Sequence, residues 1–362
     1  MPLSGGSQAQ LAAASVFLAG VVEGFYGRPW SQQLRLDYAA LLTQLGLNSY
    51  LYAPKADPFL RKEWHRNWPA DDWRQLLALA RHYSAAGLNF GVGLSPFMLY
   101  QDYGAAAKRQ LQGKVERLNE LEAPLLAVLF DDMPGDQADL AGRQAEIVAD
   151  VEHWTSALRI LVCPTYYSFD PVLERHFGPR PASYWGELGR LLPAAVDLFW
   201  TGNEVCSRAI LAADVERARS TLGRPLVLWD NYPVNDGAVR SRHLYLDPVA
   251  DREPCPAVSL RGHFCNPMIQ GWCSLPALLG LAQLYGGERT PDTSLPASIL
   301  GVTTWRQLQR DSELFRDKGL DMPEQQRCEL VAIYRALPGP AAAEVVRWLR
   351  GEDAFDPACL TD

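Results

Sequence analysis

Short apolar runs of β-type residues alternate with amphipathic helical stretches along most of the chain, and this alternation restricts the fold more than any other feature. A strand, a helix and a second strand in the same direction form a crossover unit, so repetition of that unit specifies a parallel sheet covered by helices. The apolar runs are residues 16–23, 48–53, 88–95, 125–130, 159–163, 196–200, 225–229 and 258–264. Helical patterns occupy residues 32–45, 71–86, 105–120, 137–157, 184–191, 212–222 and 275–285, several opened by Ser or Asp residues that can cap a helix. Only residues 234–257 lack such a pattern; rich in Pro, Asp and Arg, they read as a long functional loop or a distorted seventh unit. Eight βα units favour an α/β fold of the (β/α)8 TIM-barrel type over an open doubly wound sheet, whose strand count is usually smaller.

Beyond Gly286-Gly287 the strand signal stops, and helices are expected at 295–318, 323–337 and 340–350. The expected division is a flexible N-terminus (1–12), a barrel (13–287) and a small helical C-terminal appendage (288–362). The apolar stretch 11–22 has no basic segment before it and runs directly into Glu23-Gly24, so it reads as the first strand rather than a signal peptide. No run reaches the roughly 18 apolar residues of a membrane span. Seven scattered cysteines without a C-x-x-C pair suggest a reducing compartment, and a cytoplasmic location follows as the expectation. The 34 basic and 42 acidic residues give a net charge of −8, which leaves no basic face for nucleic acid.

A barrel carries its chemistry at the C-terminal ends of its strands. Those ends read Glu23-Gly24, Pro54-Lys55, Ser95-Pro96, Asp131-Asp132, Pro164-Thr165-Tyr166-Tyr167, Thr201-Gly202-Asn203, Asp230-Asn231 and Asn266-Pro267. Carboxylates, amides, one lysine and aromatic faces suit a neutral ligand rich in hydroxyl groups. Asp131-Asp132 is the sharpest feature, because it follows the apolar run 125–130 and neighbouring carboxylates push their titrations apart, as acid/base chemistry requires. Competing readings are a solvated turn whose Asp residues cap the next helix, and a divalent metal site. The second needs further ligands, and the six histidines form no metal motif, so no metal is expected. Lys55 alone reads equally well as a surface lysine, Asn231 and Asp236 as turn residues, and Tyr167, Trp200 and Trp229 as barrel-top core. Their convergence on one face is what favours a site. The absence of a G-x-S-x-G elbow, a Walker loop, a G-x-G-x-x-G turn and an H-E-x-x-H pair argues against serine-hydrolase, nucleotide, dinucleotide-cofactor and zinc-protease chemistry.

Gly20-Val21-Val22-Glu23-Gly24-Phe25-Tyr26-Gly27-Arg28-Pro29-Trp30, Asn48-Ser49-Tyr50-Leu51-Tyr52-Ala53-Pro54-Lys55, Leu129-Phe130-Asp131-Asp132 and Trp229-Asp230-Asn231, taken in order, resemble glycoside hydrolase family 84. The resemblance implies a retaining β-N-acetylglucosaminidase with a barrel catalytic domain and no cofactor, acting on protein-linked or glycan-linked β-GlcNAc. It implies substrate-assisted catalysis, a departure from the usual two-carboxylate rule, in which the 2-acetamido oxygen attacks the anomeric carbon to give an oxazoline. By this likeness Asp131 accepts the acetamido N–H, and Asp132 protonates the leaving oxygen and then activates water. Tyr167 aligns the acetamide, Gly24, Lys55, Asn231, Asp236 and Asn266 hold the sugar, and Trp229 walls the pocket. Thr201 joins these as a candidate substrate contact. The resemblance does not choose between a protein and a glycan substrate, and a GlcNAc-binding module without activity is the alternative of a different class. Successive strand residues face opposite ways, so both carboxylates reach one sugar only if the strand ends or bulges there, and the following Pro134-Gly135 fits such an ending.

Overall fold

The computed structural model describes residues 16–286, 294–353 and 355–361. Eight parallel strands close into a barrel in sequence order: β1 (Leu18–Glu23), β2 (Ser49–Tyr52), β3 (Asn89–Leu94), β4 (Leu125–Leu129), β5 (Arg159–Cys163), β6 (Asp197–Trp200), β7 (Leu226–Asp230) and β8 (Leu260–Cys265). Closure is direct, with Leu18 of β1 opposite Gly262 of β8. The strands read as continuous apolar runs because both faces are covered, the inner by barrel filling and the outer by helices. In β4 all residues from Leu125 to Leu129 are buried.

The helices around the barrel are α1 (Gln32–Leu45), α2 (Ala70–Ala85), α3 (Ala105–Asn119), α4 (Leu140–Trp154), α5 (Val172–Phe177), α6 (Tyr184–Leu191), α7 (Ala212–Leu222) and α8 (Leu275–Tyr285). Three differences from the expected pattern have local causes. α4 begins at Leu140 rather than 137, since Asp139 before it is left-handed at φ 58°. The short α5 was not anticipated; six residues are too few for a visible helical period. The single helix expected over 295–318 is two, α9 (Leu295–Leu300) and α10 (Val302–Asp317), broken at Gly301 with φ 84°. The expected frayed segment 1–12 lies outside the described residues.

α11 (Glu324–Arg335) and α12 (Pro340–Leu349) complete the helical region after the barrel. It packs where the barrel lacks a helix of its own, on the loop after β7, in which only a single 3-10 turn forms at Arg240–Arg242. The buried Trp348 indole donates to the carbonyl of Ser241 at 3.0 Å, and Glu344 accepts from the Cys273 amide at 3.0 Å. The same loop is tied to β7 from inside, because Arg252 donates to both oxygens of the buried Asp230 at 2.8 Å. No helix among the described residues is long and apolar enough to cross a membrane.

Candidate active site

A cavity of about 460 Å³ opens at the C-terminal mouth of the barrel. Gly24, Lys55, Asp131, Asp132, Tyr167, Thr201, Trp229, Asn231, Asp236 and Asn266 all line it, so the residues given catalytic or sugar-binding roles meet in one space, whereas Glu23, Ser95, Thr165, Tyr166, Trp200, Asn203 and Asp230 from the same strand ends lie outside its lining.

The carboxylate pair is positioned by backbone geometry. β4 ends at Leu129, and Asp132 takes a left-handed conformation at φ 56°, which breaks the strand alternation and lets consecutive side chains face one cavity. The strand thus ends just before the pair, as expected, and the reversal lies at Asp132 itself; Asp is among the few residue types that tolerate this region. Neither carboxylate caps a helix, since α4 begins only at Leu140.

Each carboxylate has its own set of partners. Asp131 Oδ2 is salt-bridged to Lys55, whose ammonium also lies 3.8 Å from Asp132 Oδ2. Burial would raise the Asp131 pKa, but the charges of Lys55 and Arg61 outweigh it and hold the carboxyl below its ordinary value. Its other oxygen, Oδ1, is buried and has no hydrogen-bond partner among the described residues. Asp132 instead accepts from two phenols, Tyr26 at 2.7 Å and Tyr167 at 3.0 Å. Among the described residues no group of His, Cys, Asp or Glu side chains could hold a metal ion.

The wall opposite is a chain of amides. Asn231 Oδ1 accepts from Trp229 Nε1 at 3.0 Å and from Asn266 Nδ2 at 2.9 Å, while its Nδ2 donates to the Val205 carbonyl at 2.8 Å. Asn266 Oδ1 in turn accepts from the Gly24 amide at 3.3 Å. A side chain at Gly24 would collide with the Trp229 ring at 2.2 Å, so only glycine lets the indole lie flat against the pocket. Asp236 accepts the Tyr26 amide at 2.7 Å, and burial pushes its carboxyl up to about 6.

Several lining or supporting residues were not expected from the sequence. Tyr26 sits in the quoted opening motif, yet its bond to Asp132 crosses 106 positions and has no local signature. Arg61, buried in the loop after β2, donates to Ser95 Oγ at 2.8 Å and to the carbonyls of Asp131 and Asp132 at 3.4 and 3.0 Å. Its guanidinium fork thus grips the backbone at the reversal that aims the carboxylates. Cys163, Val205, Cys206, Val234, Cys359 and Thr361 complete the lining.

The family model for beta-N-acetylglucosaminidases matches residues 19–301. Among curated proteins, the chain is 28% identical over 299 residues to the protein O-GlcNAcase of Mus musculus, an alignment covering 78% of this chain and 32% of that protein. It is 28% identical over 284 residues to the protein O-GlcNAcase of Rattus norvegicus, covering 74% and 30% respectively. The chain thus matches about a third of the length of these relatives. A solved structure of a point mutant of the Thermobaculum terrenum O-GlcNAc hydrolase superposes with a TM-score of 0.71 at 26% identity, covering 93% of this chain and 81% of that one. With the family match spanning most of the barrel and the structural likeness nearly the whole chain, this protein belongs to the beta-N-acetylglucosaminidase family of glycoside hydrolases, family 84.

Proposed function

We propose that the chain removes terminal β-linked GlcNAc, from the Ser or Thr hydroxyls of polypeptides, by a retaining mechanism in which the substrate's own acetamide is the nucleophile. The observation that carries this reading is the half-satisfied Asp131, with Oδ2 committed to Lys55 and Oδ1 buried without a partner among the described residues. A buried carboxylate oxygen without a donor is costly, and an acetamide N–H supplies one. As the acetamide oxygen attacks the anomeric carbon, positive charge grows on the nitrogen and the bond to the ionised Asp131 strengthens. Holding the acetamide in attack geometry supplies the proximity that a protein nucleophile would otherwise provide. Asp132 protonates the departing oxygen, then takes a proton from the water that opens the oxazoline. Lys55, Asn231, Asp236 and Asn266 hold the hydroxyls, Tyr167 and Thr201 border the acetamide, and Trp229 presents a flat wall to the sugar C–H surface.

Turnover of nitrophenyl β-GlcNAc beside nitrophenyl β-glucoside tests the reading. Only the GlcNAc compound is expected to react, EDTA is expected to leave the rate unchanged, and a thiazoline mimic of the oxazoline is expected to inhibit. Comparable hydrolysis of the glucoside would overturn the acetamide's role. A GlcNAc-modified peptide is expected to be cleaved faster than chitobiose, and the reverse order would reassign the substrate to glycan fragments.

Asp236 gives the pH dependence a sign. An ionised carboxylate accepts sugar hydroxyls without a competing proton of its own, and this one, pushed up to about 6 by burial, is neutral below that pH. The free enzyme's kcat/KM is therefore expected to fall about tenfold per pH unit below pH 6, through KM, and Asp236→Asn is expected to lose this limb at a uniformly raised KM. An unchanged acid limb in the variant would remove Asp236 from sugar binding.

Arg61→Lys keeps a positive charge but loses the fork that holds two backbone carbonyls. Displacing reacting groups by about an ångström costs on the order of a hundredfold, so kcat is expected to fall by that order with little change in KM. A variant with wild-type kcat would show that the 131–132 reversal holds itself.

A further inference from the structure

After α12 the chain does not run off the molecule but returns to the mouth of the barrel. Asp353 is the hinge point: its side chain is fully buried, accepts from Gln270 at 2.9 Å and faces Arg28 at 3.7 Å and Arg347 at 3.8 Å. Asp356 then turns the segment that follows it, its Oδ1 accepting the Ala358 amide and its carbonyl the Cys359 amide, both at 2.9 Å. This turn delivers Cys359 and Thr361 into the lining of the cavity that holds Asp131 and Asp132. The Cys359 thiol lies 3.8 Å from Asp236 Oδ1, and Thr361 shares the cavity lining with Tyr167.

The chemistry of the occupant matters. A thiol and a hydroxyl meet the carboxylate and the phenol that the proposed function gives to a sugar hydroxyl and to the acetamide. The segment pairs with no strand and forms no helix, and Phe355 and Leu360 are 40% and 48% exposed. A segment so lightly held opens at low cost, unlike the barrel beneath it.

We propose that residues 355–361 form an intramolecular strap that occupies the mouth of the sugar pocket and competes with substrate for Asp236 and Tyr167. The proposal rests on the reading of this cavity as the GlcNAc site. A closed strap reduces apparent affinity by the fraction of molecules left open, so one closed nine-tenths of the time raises KM about tenfold and leaves kcat untouched. Polypeptide is thereby a ligand of the pocket mouth, and displacement of the strap by an incoming substrate or a partner that captures residues 355–361 switches the enzyme on.

Full chain, the Cys359→Asp variant and a chain truncated after Asp353 are to be compared on nitrophenyl β-GlcNAc. A carboxylate at position 359 faces Asp236 and repels it, so the variant and the truncated chain are expected to show a KM lower by about five- to tenfold at unchanged kcat. A synthetic peptide of residues 355–361 is expected to raise the KM of the truncated chain competitively. KM values equal within twofold, with unchanged thermal midpoints, would overturn the strap. Hydrogen exchange of the Ala358 and Cys359 amides reads the strap without any sugar: slowed exchange in the full chain that is lost in Cys359→Asp supports it, and exchange at random-coil rates sinks it. Failure of every chain to cleave any GlcNAc glycoside would instead sink the functional reading, with amide exchange still deciding the strap.

Discussion

Replacement of Asp132 by Asn is expected to cost about 10³- to 10⁴-fold in kcat/KM on a peptide or alkyl β-GlcNAc, and less than tenfold on the dinitrophenyl glycoside. The asymmetry follows from the acid role proposed for the side chain. An alkoxide leaves only if a proton is delivered to it, whereas dinitrophenolate leaves without one. kcat/KM covers the steps through the first departure, so the later base role does not blur the comparison. Asn occupies the same volume, can accept from at least one of the phenols of Tyr26 and Tyr167, and tolerates the left-handed backbone. The measurement is the slope of log kcat/KM against leaving-group pKa, expected to be shallow for the wild type and steep for the variant. Parallel slopes would remove Asp132 from the acid role.

Asp131→Asn is expected to behave differently. Its carbonyl can still accept an acetamide N–H, but the negative charge that the proposed mechanism sets against a cationic oxazoline is gone. Loss of one preorganised electrostatic contact costs on the order of 10²- to 10³-fold in kcat, here equally for good and poor leaving groups. The substitution also removes the nearer salt-bridge partner of Lys55, whose side chain is 5% exposed, and leaves it the Asp132 carboxylate at 3.8 Å. Breaking a buried pair in this way costs about 3–5 kcal/mol. Lys55→Met combined with Asp131→Asn is therefore expected to recover most of the thermal midpoint and none of the activity. Recovery of activity in the double variant would show that the single one failed by misfolding, and the electrostatic role would fall.

The eight strands were legible because each is a short apolar run buried on both faces, and residues after such runs meet at one end of a closed barrel. That rule brought Lys55, Asp131, Asn231 and Asn266 together although they are scattered over more than 200 positions. Partnership was not legible. Lys55 reads as a sugar contact, yet without ligand it is committed to Asp131. Arg61 belongs to no motif by itself, because its function is a reach to two carbonyls some 70 positions away. The long loop after β7 shows only a missing helix; what replaces it, the Arg252 to Asp230 bridge inside and the Trp348 seat outside, arises from distant segments. The return of residues 355–361 to the pocket has no periodic signal at all, since an irregular segment with few contacts imposes no pattern on its sequence.

The left-handed residue at 132 links the chemistry of the site to its evolvability. Most L-residues strain in that conformation, and glycine escapes the strain only by giving up the carboxyl. Lengthening the acid to Glu would thus fail twice, by moving the proton too far into the pocket and by forcing a poorly tolerated residue onto the turn. Asp132→Gly is expected to yield a dead protein of equal or greater thermal stability. Under the proposed mechanism the acid at this position must satisfy both bond rotation and proton transfer, and Asn, which tolerates the same backbone, leaves a sugar-binding barrel that cleaves only glycosides with good leaving groups.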